Sequence, residues 1–484
     1  MVRYASIKAD VTKSDNGILL TAFAFTGAGS STILDPLLNL AELLPDPDKA
    51  SPSPKVVNDP ALLLQNSVIQ KLCRHPRDLL GLDGELFEDY QLEKVHVVLT
   101  SGEMLPSTKT KEHVIQPPEF SCMFESCEYN NTDFLSFKKT ADLYFASNRN
   151  KLGFKGFPAS PNPDVCLHGE LTPKGVVQLL TVGRSLQESY FTKSFRNRHL
   201  PRANVLDIHS ITTSAAFQSL LAFLHGFLPE KQIVKTLIRK SSENFCTSIN
   251  SSIDNCHCHY LDELFPRVQG AVQHGRFIFK DDFDSISDVE NILNIPMRGK
   301  LSAVELYNLL MPQVCKGQNY QCHNFTGHFI NFSEDGMLLL IKKTSEHFIA
   351  LSRNPVFKAF SDSYAYPFIE AMLTNMYSTN WSQKRIHLYS GDVTFLISLL
   401  TSLGIPIEEQ VPSATRLVFE LYRGETKRYY VRVLLNGEVI TQKLSMCGAK
   451  ITVAHGMCPL IALADFMKQK VRSLPCYRSI FYKY

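Results

Sequence analysis

HVVLTSGEMLP, residues His96 to Pro106, is the stretch on which the fold turns. An apolar run, Val97 to Leu99, stops at Thr100-Ser101-Gly102, and Pro106 follows four residues after the glycine. A strand that ends in such a turn is how an α/β protein presents groups at the carboxyl edge of its sheet. The turn itself holds no strong nucleophile and no cation to clamp a phosphate. The backbone signals of a catalytic loop are present without its chemistry.

Segments further along supply the rest of an α/β pattern. GELTPKGVVQLLTVGRSLQESYF (169–191) predicts an amphipathic helix, with Thr172 as N-cap, Pro173 at the first helical position and Val176, Leu179, Leu180 and Leu186 on one face. SITTSAAFQSLLAFLHGFLP (210–229) predicts a buried helix stopped by Gly226 and Pro229. RIHLYS reads as a short strand, and DVTFLISLLTSLG as a helix opening at Asp392 and closing at Gly404. TRLVFELYRGETKRYYVRVLLNGEVITQ reads as two strands, then an Asn436-Gly437 hairpin turn into a third. Residues from about 230 to 385 are mainly helical in pattern, as an inserted cap would be. The expected fold class is therefore α/β, a core sheet flanked by helices with a mainly α-helical cap.

With 484 residues, 44% hydrophobic and 20% charged, the chain reads as globular. A net charge of +3 gives no basic stripe for nucleic acid, and no segment reaches the ~20 apolar residues of a membrane span. Residues 1–60 read as a signal-like or disordered amino-terminal segment and linker. Within it GILLTAFAF suits a signal peptide or a short buried element, and LPDPDKASPSPKVVNDP a linker. The domain is expected over 61–484, with its core at about 90–230 and 385–475. Twelve dispersed cysteines favour an oxidising compartment, and five Asn-x-Ser/Thr sequons, at Asn130, Asn250, Asn324, Asn331 and Asn380, are compatible with secretion. Cys256-His257-Cys258-His259 makes poor tetrahedral geometry, so disulfides are expected there, and no metal or cofactor.

The order of these segments resembles the histidine acid phosphatase family. GELTPKGVVQL, the helix ending GFLP, LYSGDVTFLISLLTSLGI, LVFELY, VRVLLNGE and MCPL all fall in the family's sequence, over roughly residues 90 to 475. CHCHYL, CKGQNYQCHNFTG and GMCPL make the chain most similar to the Golgi 2-phosphoxylose phosphatase (acid-phosphatase-like) branch. The resemblance implies a phosphoglycerate-mutase-like core sheet. It also implies a two-step chemistry in which the histidine of an Arg-His-Gly-x-Arg-x-Pro loop attacks phosphorus. Arginines hold the phosphate oxygens and a His-Asp pair protonates the leaving group, because a near-dianion must be neutralised before a nucleophile can approach.

Carried over residue by residue, that loop falls on Thr100, Ser101, Gly102, Glu103, Met104, Leu105 and Pro106. Glycine and proline survive; Thr100 and Met104 stand for arginines and Ser101 for the nucleophilic histidine. A further arginine, eleven residues before the glycine of GFLP, is replaced by Ala215. Where the family has Tyr-Ser-Ala-His-Asp, this chain has Tyr389-Ser390-Gly391-Asp392-Val393. Without a gap Asp392 replaces the histidine and Val393 the acid; with a one-residue deletion Asp392 keeps the acid's place.

Two sets of vestigial positions follow: Ser101 and Asp392 for nucleophile and proton donor, and Thr100, Glu103, Met104 and Ala215 for the phosphate pocket. Glu103 is expected to face the cleft and repel phosphate, Asp392 to serve as helix N-cap, and Ser101 to be a turn residue without a triad. Lys109 and Lys111 near the mouth could meet an anionic glycan but read more simply as a solvated loop. His209 could line the cleft but reads more simply as structural. The expected function is that of a pseudophosphatase of the secretory pathway, Golgi or extracellular. It would bind a glycan or a protein partner in proteoglycan synthesis. A weakly active phosphomonoester hydrolase acting on a phosphorylated sugar is the alternative.

Overall fold

A computed structural model describes residues 63–73, 81–104, 132–148, 156–161, 169–194, 203–246, 258–279, 286–293, 301–315, 333–378, 385–448 and 454–476, with a few shorter pieces. The chain divides into two units, 1–54 and 55–484. Of the first, the described part is an antiparallel pair, Lys13–Ser14 with Gly17–Ile18. The signal and linker expectations lie outside the described residues, as do Cys256, His257, Lys111 and the side chain of Lys109.

The second unit is built on one mixed sheet. Its strands are β1 (Tyr90–Leu99), β2 (Leu206–Ser210), β3 (Arg239–Lys240), β4 (Ile386–Ser390), β5 (Arg416–Gly424), β6 (Tyr429–Leu435), β7 (Glu438–Val439) and β8 (Cys458–Pro459). The order is β7-β6-β5-β1-β4-β2-β3, with β8 also on β6. Strands β1, β4, β2 and β3 run parallel, and β5 and β6 antiparallel. The β6–β7 turn is the expected Asn-Gly one, both residues at positive φ (54° and 84°), as a two-residue hairpin of this hand requires.

Helices cover both faces. On one lie α1 (Thr132–Asn148), α2 (Pro173–Gln187) and α3 (Ser214–Phe227). Their apolar residues pack with Val95, Val97, Leu99, Ile208 and Leu388 of the sheet. Thr172 caps α2, accepting from the Gly175 N–H, and Pro173 opens it, as its sequence dictates. Further along come α4 (His259–His274), α5 (Ala303–Val314), α6 (Glu334–Arg353), α7 (Pro355–Tyr377), α8 (Val393–Ser402) and α9 (Leu460–Val471). Helices α5 and α6 share a separate apolar cluster with the short helix Ser67–Cys73. Helix α7 falls within the sequence span of the cap, yet its Phe360, Phe368 and Met372 pack with Val98 and Tyr389 of the sheet. A helix with aromatic residues around most of its surface can be buried on both sides.

Disulfides join Cys73 to Cys315, Cys258 to Cys476 and Cys447 to Cys458. The Cys258 sulfur is therefore committed to a covalent bond and is no metal ligand.

Candidate functional site

In register, Ser390 of β4 lies beside Leu99 of β1 on one side and Ser210 of β2 on the other. The loops after all three strands consequently leave the sheet together, where ligand sites of open α/β sheets form. Backbone bonds lace them: Gly391 N–H donates to Leu99 O (2.9 Å) and Ile211 N–H to Ser390 O (3.1 Å). The Ser390 hydroxyl donates to Ala216 O (2.8 Å), bringing the first turn of α3 to the same place.

The 100–104 loop is held from beneath by neutral partners. Gly102 N–H donates to Ser219 Oγ (3.2 Å) and Glu103 N–H to the Gln178 side-chain oxygen (2.9 Å). Thr100 Oγ1 accepts from Thr415 N–H (3.0 Å), and Ala414 N–H donates to Ser101 O (2.8 Å). A Cβ on Gly102 would lie 2.3 Å from the Gly175 carbonyl oxygen, so α2 approaches the loop more closely than any other residue would allow.

The structure places the sequence-derived positions unequally. Thr100 is buried and joined to β5; Ser101 and Met104 are half-buried, Met104 in a bridge to Leu171. Among the described residues no histidine or carboxylate is hydrogen-bonded to the Ser101 hydroxyl. Ala215 is buried in the apolar layer of α3.

Glu103 corrects the expectation of a carboxylate facing the cleft. It is 5% exposed, its Oε2 pairs with Lys174 Nζ (2.8 Å), and its Oε1 accepts from the Thr172 hydroxyl (3.0 Å). The first turn of α2 supplies both donors, a helix end that favours a negative charge. Glu103 thus fastens the loop instead of guarding it.

Asp392 is the N-cap of α8, accepting from Phe395 N–H (2.8 Å) with Val393 as the first helical residue. Burial pushes its carboxyl up to about 6, against the pull of the N–H groups it accepts. Glu243 is raised too, by burial and then by the Asp392 charge. Phe245, at positive φ (60°), lays its ring 3.3 Å from where a Cβ on Gly391 would be. Its ring packs edge-on to Phe395 (4.9 Å) and Tyr389 (5.4 Å). The ground behind Gly391 is aromatic and the charge beside it negative.

His209 does not line the cleft. It is 1% exposed, and its Nε2 meets Asp207 at 3.1 Å. Sequence reasoning missed Gln178, Ser219, Lys174, Glu243 and Phe245. The first two had a signal, since a polar side chain inside a helix that is otherwise apolar needs a buried partner.

Residues 91–436 match the model of the histidine phosphatase superfamily (branch 2), and the chain belongs to that superfamily. It is similar to 2-phosphoxylose phosphatase 1 of Mus musculus, 28% identical over 451 residues that cover 88% of this chain and 86% of the relative. The Homo sapiens 2-phosphoxylose phosphatase 1 is 27% identical over 453 residues, with the same shares. Among solved structures, the chain resembles the phytase from D. castellii (TM-score 0.44, 14% identity, 90% of this chain and 91% of that one). It also resembles the Hafnia alvei phytase in complex with myo-inositol hexakis sulphate (TM-score 0.49, 14% identity, 81% and 100%).

Proposed function

We propose that this protein keeps the histidine phosphatase fold without phosphoryl transfer and acts by binding, as a pseudophosphatase related to the 2-phosphoxylose phosphatases. The observation that carries this reading is the replacement at the converging loops. Threonine, serine, methionine and alanine stand at Thr100, Ser101, Met104 and Ala215, where transfer of a phosphoryl group needs guanidinium forks and a basic nucleophile. The cation nearest the loop in these contacts, Lys174, is spent on Glu103. The loop's shape is meanwhile maintained by Gln178, Ser219 and Thr415, so its backbone serves something other than catalysis.

The names of the relatives, 2-phosphoxylose phosphatase 1, support a xylose-bearing glycan as the ligand, and a protein partner in proteoglycan synthesis is the other binding role proposed. The disulfides suit an oxidising compartment of the secretory pathway. Among the described residues no helix is long and apolar enough to cross a membrane. One observation favours the alternative of weak phosphatase activity: Asp392, at about 6, is an acid poised to give up a proton near neutral pH.

Calorimetric titration with a xylose-terminated oligosaccharide, with and without a 2-phosphate, separates the two. Binding that gains nothing from the phosphate, with no inorganic phosphate released, is expected. Tighter binding of the phosphorylated sugar, or its hydrolysis, would count against the pseudophosphatase reading.

A further inference from the structure

On the face of the sheet beneath α7, the three central strands carry a buried polar seam. His96 of β1, His387 of β4 and Asp207 of β2 are neighbours in register, and Tyr389 and His209 form the next rung. His96 and His387 are stacked, 4.4 Å between centroids and 8° between planes. Tyr389 lies nearly parallel to His209 at 5.4 Å, and its hydroxyl is 3.5 Å from His96 Nδ1. Asp207 Oδ2 takes both His387 Nδ1 (3.3 Å) and His209 Nε2 (3.1 Å), and its Oδ1 takes Arg239 of β3 (3.0 Å).

All three imidazoles are at most 3% exposed. Each keeps one buried ring nitrogen with no hydrogen-bond partner among the described residues: His96 Nε2, His387 Nε2 and His209 Nδ1. Protonating His387 would place a charge and a second N–H beside no further hydrogen-bond acceptor among the described residues, and a protonated His96 would have only the neutral side-chain amide of Asn375 in α7 beside it, a costly arrangement in a low-dielectric interior.

The surroundings add little to receive such a charge. From β1 comes the ammonium of Lys94, which caps the end of α7 by donating to the carbonyls of Asn375 and Ser378 (the latter 3.2 Å). From β5 come the apolar Phe419, opposite His96, and Leu421, opposite Lys94. From β2 and β3 come Asp207 and its partner Arg239; α7 contributes the Asn375 amide and Phe368, and the turn before α4 contributes Phe245. Among the described residues the carboxylate that meets these imidazoles is Asp207, already shared with a guanidinium, while Glu93 of β1 pulls on Lys94.

We propose that this stack is an acid-sensitive joint: neutral His96 and His387 hold α7 on the sheet, and charging these two rings on acidification frees the helix. Burial, then repulsion by His387 and by Lys94, holds the His96 ring well below its ordinary value, against the pull of Asn375 and Asp207; burial lowers His387 as well, against the pull of Asp207. The unfolded chain, by contrast, takes up protons on both rings from about pH 6.5 downward. Stability from these two rings is therefore complete above pH 6.5 and lost as pH falls below it. Between pH 7 and pH 5 a ring that stays neutral in the folded protein shifts the folding equilibrium by at most about 25-fold, His96 more fully than His387. The joint lies beneath Ser390 and Gly391, so it also bears on the loops of the candidate site.

The test compares the full-length protein with a His96→Phe, His387→Asn double variant. Phenylalanine keeps the stacked ring, and the asparagine amide replaces the Nδ1–H donor to Asp207. Urea unfolding at pH 7 and pH 5 is expected to show the wild type losing at least tenfold more of its folding constant than the variant. Equal losses would overturn the proposal. Hydrogen exchange on the wild type alone provides a second arm should the variant fold poorly. Corrected for intrinsic rates, exchange in α7 is expected to rise at least tenfold at pH 5 while that in α2, on the opposite face, does not. A uniform rise, or none, would equally overturn it.

Discussion

At Asp392 two roles compete for one carboxylate. As N-cap it accepts the Phe395 N–H, and as a half-buried acid it is pushed up to about 6. A folded-state value above that of the unfolded chain means stability that is present below about pH 4 and lost as pH rises toward 6. Asparagine keeps the cap acceptor without the charge, so Asp392→Asn should match the wild type at pH 4 and exceed it in urea unfolding at pH 7. Asp392→Ala removes the cap and should cost about 1 kcal/mol at pH 4, and less at pH 7, where it also removes the unfavourable buried charge. Glu103 and Lys174, both nearly buried, behave differently. Glu103→Gln leaves a buried ammonium without its counter-charge and should cost about 3–5 kcal/mol. Replacing both residues by apolar ones should cost less than the single change, a difference a double-mutant cycle would read. That Glu103 turns inward could not be foreseen, since its partner stands seventy-one residues later, in a helix whose apolar face is its visible feature.

The elements themselves were largely legible. Thr172-Pro173, Asp392 and Asn436-Gly437 each fix a local backbone state within three or four residues, and each stands where the sequence placed it. The meeting of elements was not legible, because periodicity tells which face is buried but not against what. The loop's approach to α2 is the clearest case, two glycines with no side chain between them. Gly102→Ala should therefore fail to fold or lose more than about 3 kcal/mol, measured by urea unfolding, since the added methyl meets backbone on an element that cannot yield. The histidine seam was equally hidden: His96, Asp207, His209 and His387 come from three separate strands, and only β-sheet register makes them neighbours.

For the molecule as a whole, the composition indicated a globular protein, the order of segments an α/β fold, and the motifs the superfamily, whose model residues 91–436 match. Pairing of the cysteines was beyond the sequence. The Cys73–Cys315 bridge, spanning 242 residues, ties the helix Ser67–Cys73 to the residue after α5. Its removal by Cys73→Ala with Cys315→Ala should lower stability by about 2–5 kcal/mol, seen as a reduced urea midpoint. The absence of arginine and histidine at Thr100, Ser101, Met104 and Ala215 is a statement about chemistry at one site, distributed over a hundred residues and more of chain. The most direct test is hydrolysis of p-nitrophenyl phosphate by the purified wild type from pH 4 to pH 7. Release no faster than in protein-free buffer is the expected result; turnover that disappears on Ser101→Ala or Asp392→Asn would contradict the loss of phosphoryl transfer.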